Sequence, residues 1–116
     1  MNPIINQIGT VFIPVKEIEK ARDWYCDILG LPVTEEILFD HLYVLPMQGT
    51  GVVLDSKIYH PERIYQSPPF HFNTSDIEEA YQFMKDKGVK VVTKTEHDQW
   101  FNIKDLDGNV LMICEC

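Results

Sequence analysis

The sequence predicts an α+β domain built of two tandem βαβββ modules, and three observations carry that expectation. Val15-Lys16-Glu17-Ile18-Glu19-Lys20-Ala21 is echoed 59 residues later by Thr74-Ser75-Asp76-Ile77-Glu78-Glu79-Ala80, and the same offset pairs Trp24 with Phe83, Asp27 with Asp86 and Gly49 with Gly108. That one offset serves from residue 8 to residue 113, which a chance match does not usually do. Around each echo, short stretches alternate with period two, the mark of strands. The echoed stretches themselves run on with helical spacing and stop at Gly30 and Gly88. Units of this size cannot each bury a face alone, so function is expected where the two copies meet.

The first strand is expected over 8–15, with Val11, Ile13 and Val15 on one face and Thr10, Phe12 and Pro14 on the other. A helix over 17–29 follows, carried by Ile18, Ala21, Tyr25, Ile28 and Leu29. Strands are expected at 33–38, 41–45 and 52–54, the last two separated by the turn Gln48-Gly49-Thr50-Gly51. Residues 56–68 lack clear periodicity and read as a linker. The second module opens on Phe70 and Phe72, and Ser75-Asp76-Ile77-Glu78 has the form of a capping box with Ser75 as the cap. Its helix reaches 87. Strands at 89–93, 100–104 and 110–114 complete it, with Asp105-Leu106-Asp107-Gly108-Asn109 turning between the last two. The expectation is a single domain over 1–116, with modules 8–55 and 69–116.

Composition narrows the function. A 116-residue chain that is 45% hydrophobic is long enough for a real core and is not of the disordered type. No apolar run approaches the roughly 20 residues a bilayer demands. The first residues show neither the basic start nor the apolar core of a signal peptide, so a cytoplasmic location is expected. A formal net charge of -8 argues against nucleic acid, whose phosphates need Lys and Arg. The charge serves solubility, or it favours a cationic ligand. Three cysteines make no disulfide framework. Cys114 and Cys116, about 6.6 Å apart on one extended strand, are poorly placed to bridge each other, so reduced thiols are expected.

Alternation also divides each sheet into two faces. Val11/Ile13, Leu42/Val44, Val52/Leu54, Phe70/Phe72, Phe101/Ile103 and Leu111/Ile113 are expected under the helices. The opposite face then carries Thr10, Phe12, His41, Tyr43, Val53, Asp55, Pro69, His71, Trp100, Asn102, Met112 and Cys114. Aromatic, polar and apolar groups mixed in this way suit a ligand pocket, or a surface that packs against a partner subunit. Trp100 can stack on a planar or cationic ligand there, or fill an interface. Trp24 is expected in the core. Cys26 reads as a small buried group, and Cys114 near His71 is the Cys/His pairing worth naming. His60 and His97 fall in loops.

Two motifs resemble the vicinal oxygen chelate superfamily, which includes the glyoxalase and bleomycin-resistance proteins and ring-opening dioxygenases. One is the helix stretch Val15-Lys16-Glu17-Ile18-Glu19-Lys20-Ala21 running to Trp24-Tyr25 and Ile28-Leu29-Gly30-Leu31. The other is Asp105-Leu106-Asp107-Gly108-Asn109-Val110-Leu111, similar to that family's turn with Leu106 where proline is usual. The resemblance covers essentially the whole chain and implies paired βαβββ modules. The fold hosts isomerases, dioxygenases, transferases and plain drug binders, so it does not choose among them. The family's metal enzymes hold a divalent ion at four positions, which fall here on Thr10, Val53, Pro69 and Met112. A hydroxyl, two apolar side chains and a thioether are not the imidazole, carboxylate or thiolate set such an ion needs.

The resulting expectation is a metal-free small-molecule-binding protein that sequesters or senses a small aromatic or cationic ligand, with no cofactor. Its cleft is expected to be lined by Phe12, His41, Tyr43, His71, Trp100, Asn102 and Met112, in a homodimer of about 27 kDa. The alternative is a metal-dependent lyase, isomerase or dioxygenase of the glyoxalase type, with its divalent metal displaced to the neighbourhood of His71.

Overall fold

Among the described residues nine elements follow one another in the order βαββ then βαβββ. The computed structural model describes residues 1–93 and 99–116; the expectation for His97 lies outside the described residues. The chain divides into two compact units, Met1–Ile58 and Tyr59–Cys116. The first holds β1 (Thr10–Pro14), α1 (Ile18–Leu29), β2 (Leu42–Val44) and β3 (Gly51–Asp55). The second holds β4 (His71–Asn73), α2 (Ile77–Asp86), β5 (Lys90–Val91), β6 (Trp100–Lys104) and β7 (Val110–Cys114). Within each unit the first and last strands pair in parallel, β1 with β3 and β4 with β7. The sheet orders are β1-β3-β2 and β4-β7-β6-β5. This is the mixed α+β, glyoxalase-like arrangement. Among the described residues no helix is long and apolar enough to cross a membrane.

The 59-residue repeat survives as strand register. Phe12 lies opposite Val53 in the first parallel pair and His71 opposite Met112 in the second, each 59 residues on. Gly49 and Gly108 both take left-handed backbone, with φ of 79° and 92°, which a residue with a Cβ adopts only at a cost. Both helices end in the same way. Leu31 N donates to Cys26 O across Gly30, and Val89 N donates to Met84 O across Gly88. These six-to-one bonds satisfy carbonyls that the helix would otherwise leave open.

Each helix buries one stripe against its sheet. In unit 1, Ala21, Tyr25, Cys26 and Ile28 of α1 are buried, with Ile13, Tyr43 and Leu54 contributing from the strands. In unit 2, Ile77 and Met84 of α2 are buried, and Tyr81 meets Phe101 edge-on at 5.3 Å. Burying each large side chain here contributes about 1.5–3 kcal/mol. Trp24, expected in the core, is half-buried and edge-on to Tyr25 at 4.9 Å.

Three local expectations are corrected. No strand forms at 33–38; Leu38 makes a single bridge to Leu42, because Phe39 and Asp40 turn the chain with φ of 52° and 64°. The reversal uses the residues a longer hairpin would need. The cap of α2 is Asp76, whose carboxylate accepts from Glu79 N at 3.0 Å, while Thr74 Oγ1 accepts from Asp76 N. Beside that cap, the Glu115 carboxylate accepts from Ile77 N at 2.8 Å and closes the first turn of α2.

The third correction moves a site residue. In β2, Tyr43 lies opposite Leu54 and Val44 opposite Val53, whereas in unit 2 Phe101 lies opposite Ile113 and Asn102 opposite Met112. Directly opposed residues share a face, so Tyr43 is the counterpart of Phe101 and Val44 that of Asn102. The repeat offset drops from 59 to 58 across this strand. A one-residue slip exchanges the faces: Tyr43 is fully buried on the helix side and Val44 is exposed.

Candidate functional site

Strand register assembles the helix-free face of each unit. In unit 2 it brings His71, Met112 and Asn102 into one row across β4, β7 and β6. The next row is Asn73, Cys114 and Trp100. His71 and Asn73 are exposed, Met112, Asn102 and Trp100 half-buried, and Cys114 buried. Four of the seven side chains proposed from sequence (His71, Trp100, Asn102 and Met112) therefore stand together on two adjacent rows. Asn73 joins them. Sequence reading passed over it, although alternation from His71 puts it on the same face.

Asn102 is held by its backbone, its N–H donating to Thr93 Oγ1 at 3.1 Å and its carbonyl accepting from Val92 N at 2.8 Å. Its side-chain oxygen is buried and has no hydrogen-bond partner among the described residues. A buried carbonyl left in that state costs about 1–3 kcal/mol. A ligand donor would remove that cost.

The corresponding rows of unit 1 differ in chemistry. Phe12, Val53 and Val44 form an apolar row, with Phe12 and Val44 exposed. Beside it Asp55 is buried, and its carboxylate meets His41 Nδ1 at 2.9 Å and accepts from Lys57 N. His41 is therefore engaged with Asp55. Tyr43 is not on this face at all. Its phenol lies beside the Cys26 thiol, and burial pushes the pKa of both groups up. Cys26 is accordingly a protonated packing group.

The loop that follows β6 is fixed by a buried pair. The Asp105 carboxylate accepts from Asp107 N, Asn109 N and Asn109 Nδ2 at 2.8–2.9 Å. Asn109 Oδ1 in turn accepts from Tyr65 N at 2.9 Å, and Val110 N donates to Tyr65 O. This network makes the Asp105–Asn109 stretch a structural clamp that ties Tyr65 to the start of β7.

The cysteines correct a further expectation. Cys114 and Cys116 are joined as a disulfide, with Cα atoms 5.4 Å apart. The strand ends at Cys114, so the last two residues leave the extended path on which about 6.6 Å was expected. The observed separation lies in the range that disulfides span.

Thr10, Val53, Pro69 and Met112, where the resemblance would set the family's metal, do not fit one. Thr10 is exposed on a strand end and Val53 is buried among apolar groups. Together the four offer one hydroxyl and one thioether, a donor set that holds no hard or borderline divalent ion.

Comparison with known proteins agrees with this architecture. The chain is 28% identical to YetH, an uncharacterized protein of Bacillus subtilis, over 97% of this chain and the whole of that one. A glyoxalase/bleomycin resistance protein/dioxygenase superfamily member from Sphaerobacter thermophilus superposes with a TM-score of 0.74 at 26% identity, over 97% of this chain and 98% of that one. TnmS3, an antibiotic-binding protein from Streptomyces sp. CB03234, is alike in fold, with a TM-score of 0.72 at 20% identity over 98% of both chains. Residues 5–113 match the Glyoxalase/Bleomycin resistance protein/Dioxygenase superfamily, and the chain belongs to that superfamily.

Proposed function

We propose that this chain is a metal-free small-molecule-binding protein that sequesters or senses a small aromatic or cationic ligand. The observation that carries the reading is the buried Asn102 oxygen, without a hydrogen-bond partner among the described residues, in a row with His71 and Met112 and one row from Trp100. An aromatic face, a thioether, an imidazole and an open acceptor are what a planar ligand with one donor needs. The antibiotic-binding activity of TnmS3, on the same fold, supports the class of function without supplying the ligand. The negative net charge favours a positively charged ligand. Tyr43 leaves the proposed lining, because it is packed under α1. His41 is engaged with Asp55 in unit 1.

N-Methylquinolinium and its neutral counterpart 1-methylnaphthalene serve as probes. Trp100→Ala is expected to weaken N-methylquinolinium by about 1 kcal/mol or more, the scale of a cation–π contact, with the unfolding midpoint little changed. Titration calorimetry reads the affinity and urea unfolding the midpoint. Equal affinity in the variant and the parent protein would place the ligand elsewhere.

A homodimer is proposed with this function. The exposed Phe12 and Val44 on the helix-free face of unit 1 give it an apolar surface to cover. Light scattering is expected to give about 27 kDa, twice the 13.5 kDa chain. A mass of one chain at high concentration would end this part of the proposal.

The second reading, a metal-dependent lyase, isomerase or dioxygenase, draws support from one feature, the two sulfurs of Cys114 and Cys116 gathered near the His71 imidazole. It differs in a simple way: chelation would abolish its activity, whereas binding of the organic probes would be untouched.

A further inference from the structure

We propose that opening the Cys114–Cys116 disulfide creates a site for a thiophilic divalent ion of the Zn²⁺ type, held by His71, Cys114 and Cys116. One ring nitrogen of His71 and the two sulfurs all lie within 4.8 Å of one another. Ligands sharing a tetrahedral zinc, with bonds of about 2.0–2.3 Å, stand roughly 3.3–3.8 Å apart. Opening the bond lets the two sulfurs part to that spacing, and the exposed His71 and Cys116 side chains turn to meet it.

The backbone already presents the two sulfurs to one side. Thr74 N donates to Cys114 O at 2.9 Å. Glu115, between the cysteines, donates its N–H to Gln99 O at 2.7 Å and accepts from Ile77 N through its carboxylate. The residue linking the two donors is thus tied to β6 on one side and to α2 on the other. His71 starts β4, and Asn73, two residues on and on the same face, is opposite Cys114. The site lies two residues along both strands from Pro69 and Met112. It is distinct from the set in which the family resemblance would place a metal.

Donor chemistry selects the ion. Two thiolates and a neutral imidazole cancel the charge of a divalent ion, so the assembled centre is neutral and the buried Cys114 sulfur carries no uncompensated charge. Sulfur ligands favour Zn²⁺ over Mg²⁺ or Ca²⁺, which take oxygen. His71 and Cys116 are exposed, which leaves the fourth position to water or a small ligand.

The oxidised pair has no thiolate and holds no such ion. A dithiol reductant opens it by exchange: its thiolate bonds to Cys116 Sγ, the Cys114–Cys116 bond breaks, and Cys114 takes a proton. The second reductant thiol then displaces Cys116, closing the reductant's own disulfide, so that two electrons have passed to the protein. Metal uptake releases the two thiol protons to solvent, and the imidazole coordinates through its lone pair.

Co²⁺ is the probe. The full chain is reduced with dithiothreitol, freed of reductant without air, and titrated with Co²⁺. A thiolate-to-cobalt charge-transfer band is expected, erased by added Zn²⁺ and absent from the oxidised protein. Cys116→Ser is expected to lose about half the band, and both it and His71→Ala at least ten-fold in affinity. Cys26→Ala, at a buried position in unit 1, should leave the titration unchanged. Cys114→Ser removes a buried sulfur and can disturb folding, so the exposed His71 and Cys116 positions decide, with circular dichroism confirming that each variant is folded. No band in the reduced protein, or a band indifferent to both substitutions, overturns the proposal. The inference goes beyond the ligand reading, and the two fail separately, because the organic probes are titrated into oxidised, metal-free protein.

Discussion

Asp105→Ala is expected to destabilise the protein by about 3 kcal/mol, read as a lower midpoint in urea unfolding. The carboxylate accepts three hydrogen bonds at 2.8–2.9 Å, two of them from the fully buried Asn109. Hydrogen bonds to a charged group contribute about 1.5–3 kcal/mol each, and a buried donor left without its acceptor costs about 1–3 kcal/mol. The effects are not additive, since the turn relaxes and water reaches its outer edge, which keeps the expected total below their sum. Asn109 also loses its orientation toward Tyr65 N, so the segment before β4 loosens with the turn. Leu106→Ala, at an exposed position of the same turn, is expected to stay within about 0.5 kcal/mol of the parent. Equal midpoints for the two variants would mean that the network does not hold the turn.

The clamp also explains why this turn was readable before the fold was known. Asp105, Gly108 and Asn109 have fixed duties there: acceptor, left-handed backbone, and buried bridge to Tyr65. Each duty admits few residue types, so the motif is visible in sequence. The parallel pairs were legible for a related reason. β1 with β3 and β4 with β7 keep one offset, since the chain from first to last strand has the same length in both units.

What stayed hidden was decided by long-range pairing. Leu42, Tyr43 and Val44 are all apolar or aromatic, so a three-residue strand fits either way up. Only its pairing with β3 reveals the slip. Ser75 and Asp76 are both good caps, and the choice fell to the residue whose extended backbone, φ -148° and ψ 99°, aims its carboxylate at Glu79 N. The Cys114–Cys116 bridge was missed because the end of a strand carries no marker in sequence. Of the proposed lining, the unit 2 members were reachable by alternation alone, and the buried Asn102 oxygen without a partner among the described residues required coordinates.

Tyr43 gives the sharpest test of the slipped register, through two substitutions that separate core from ligand face. It is fully buried opposite Leu54, and its hydroxyl, close to Cys26, makes no well-aligned hydrogen bond among the described residues. Tyr43→Ala removes a large aromatic group from a packed interior, and truncations of this kind cost about 3–5 kcal/mol, because the surroundings collapse only in part. Tyr43→Phe removes only the poorly satisfied hydroxyl. It is expected to stay within about 1 kcal/mol of the parent, with any gain coming from relief of an unpaired buried oxygen. Had β2 kept the offset of the other strands, Tyr43 would stand on the helix-free face. Tyr43→Ala would then weaken probe binding and leave stability nearly unchanged. Unfolding in urea and titration with N-methylquinolinium therefore give opposite patterns for the two registers. The slipped register requires a large loss of stability in Tyr43→Ala and, in the stable Tyr43→Phe protein, unaltered affinity for the probe.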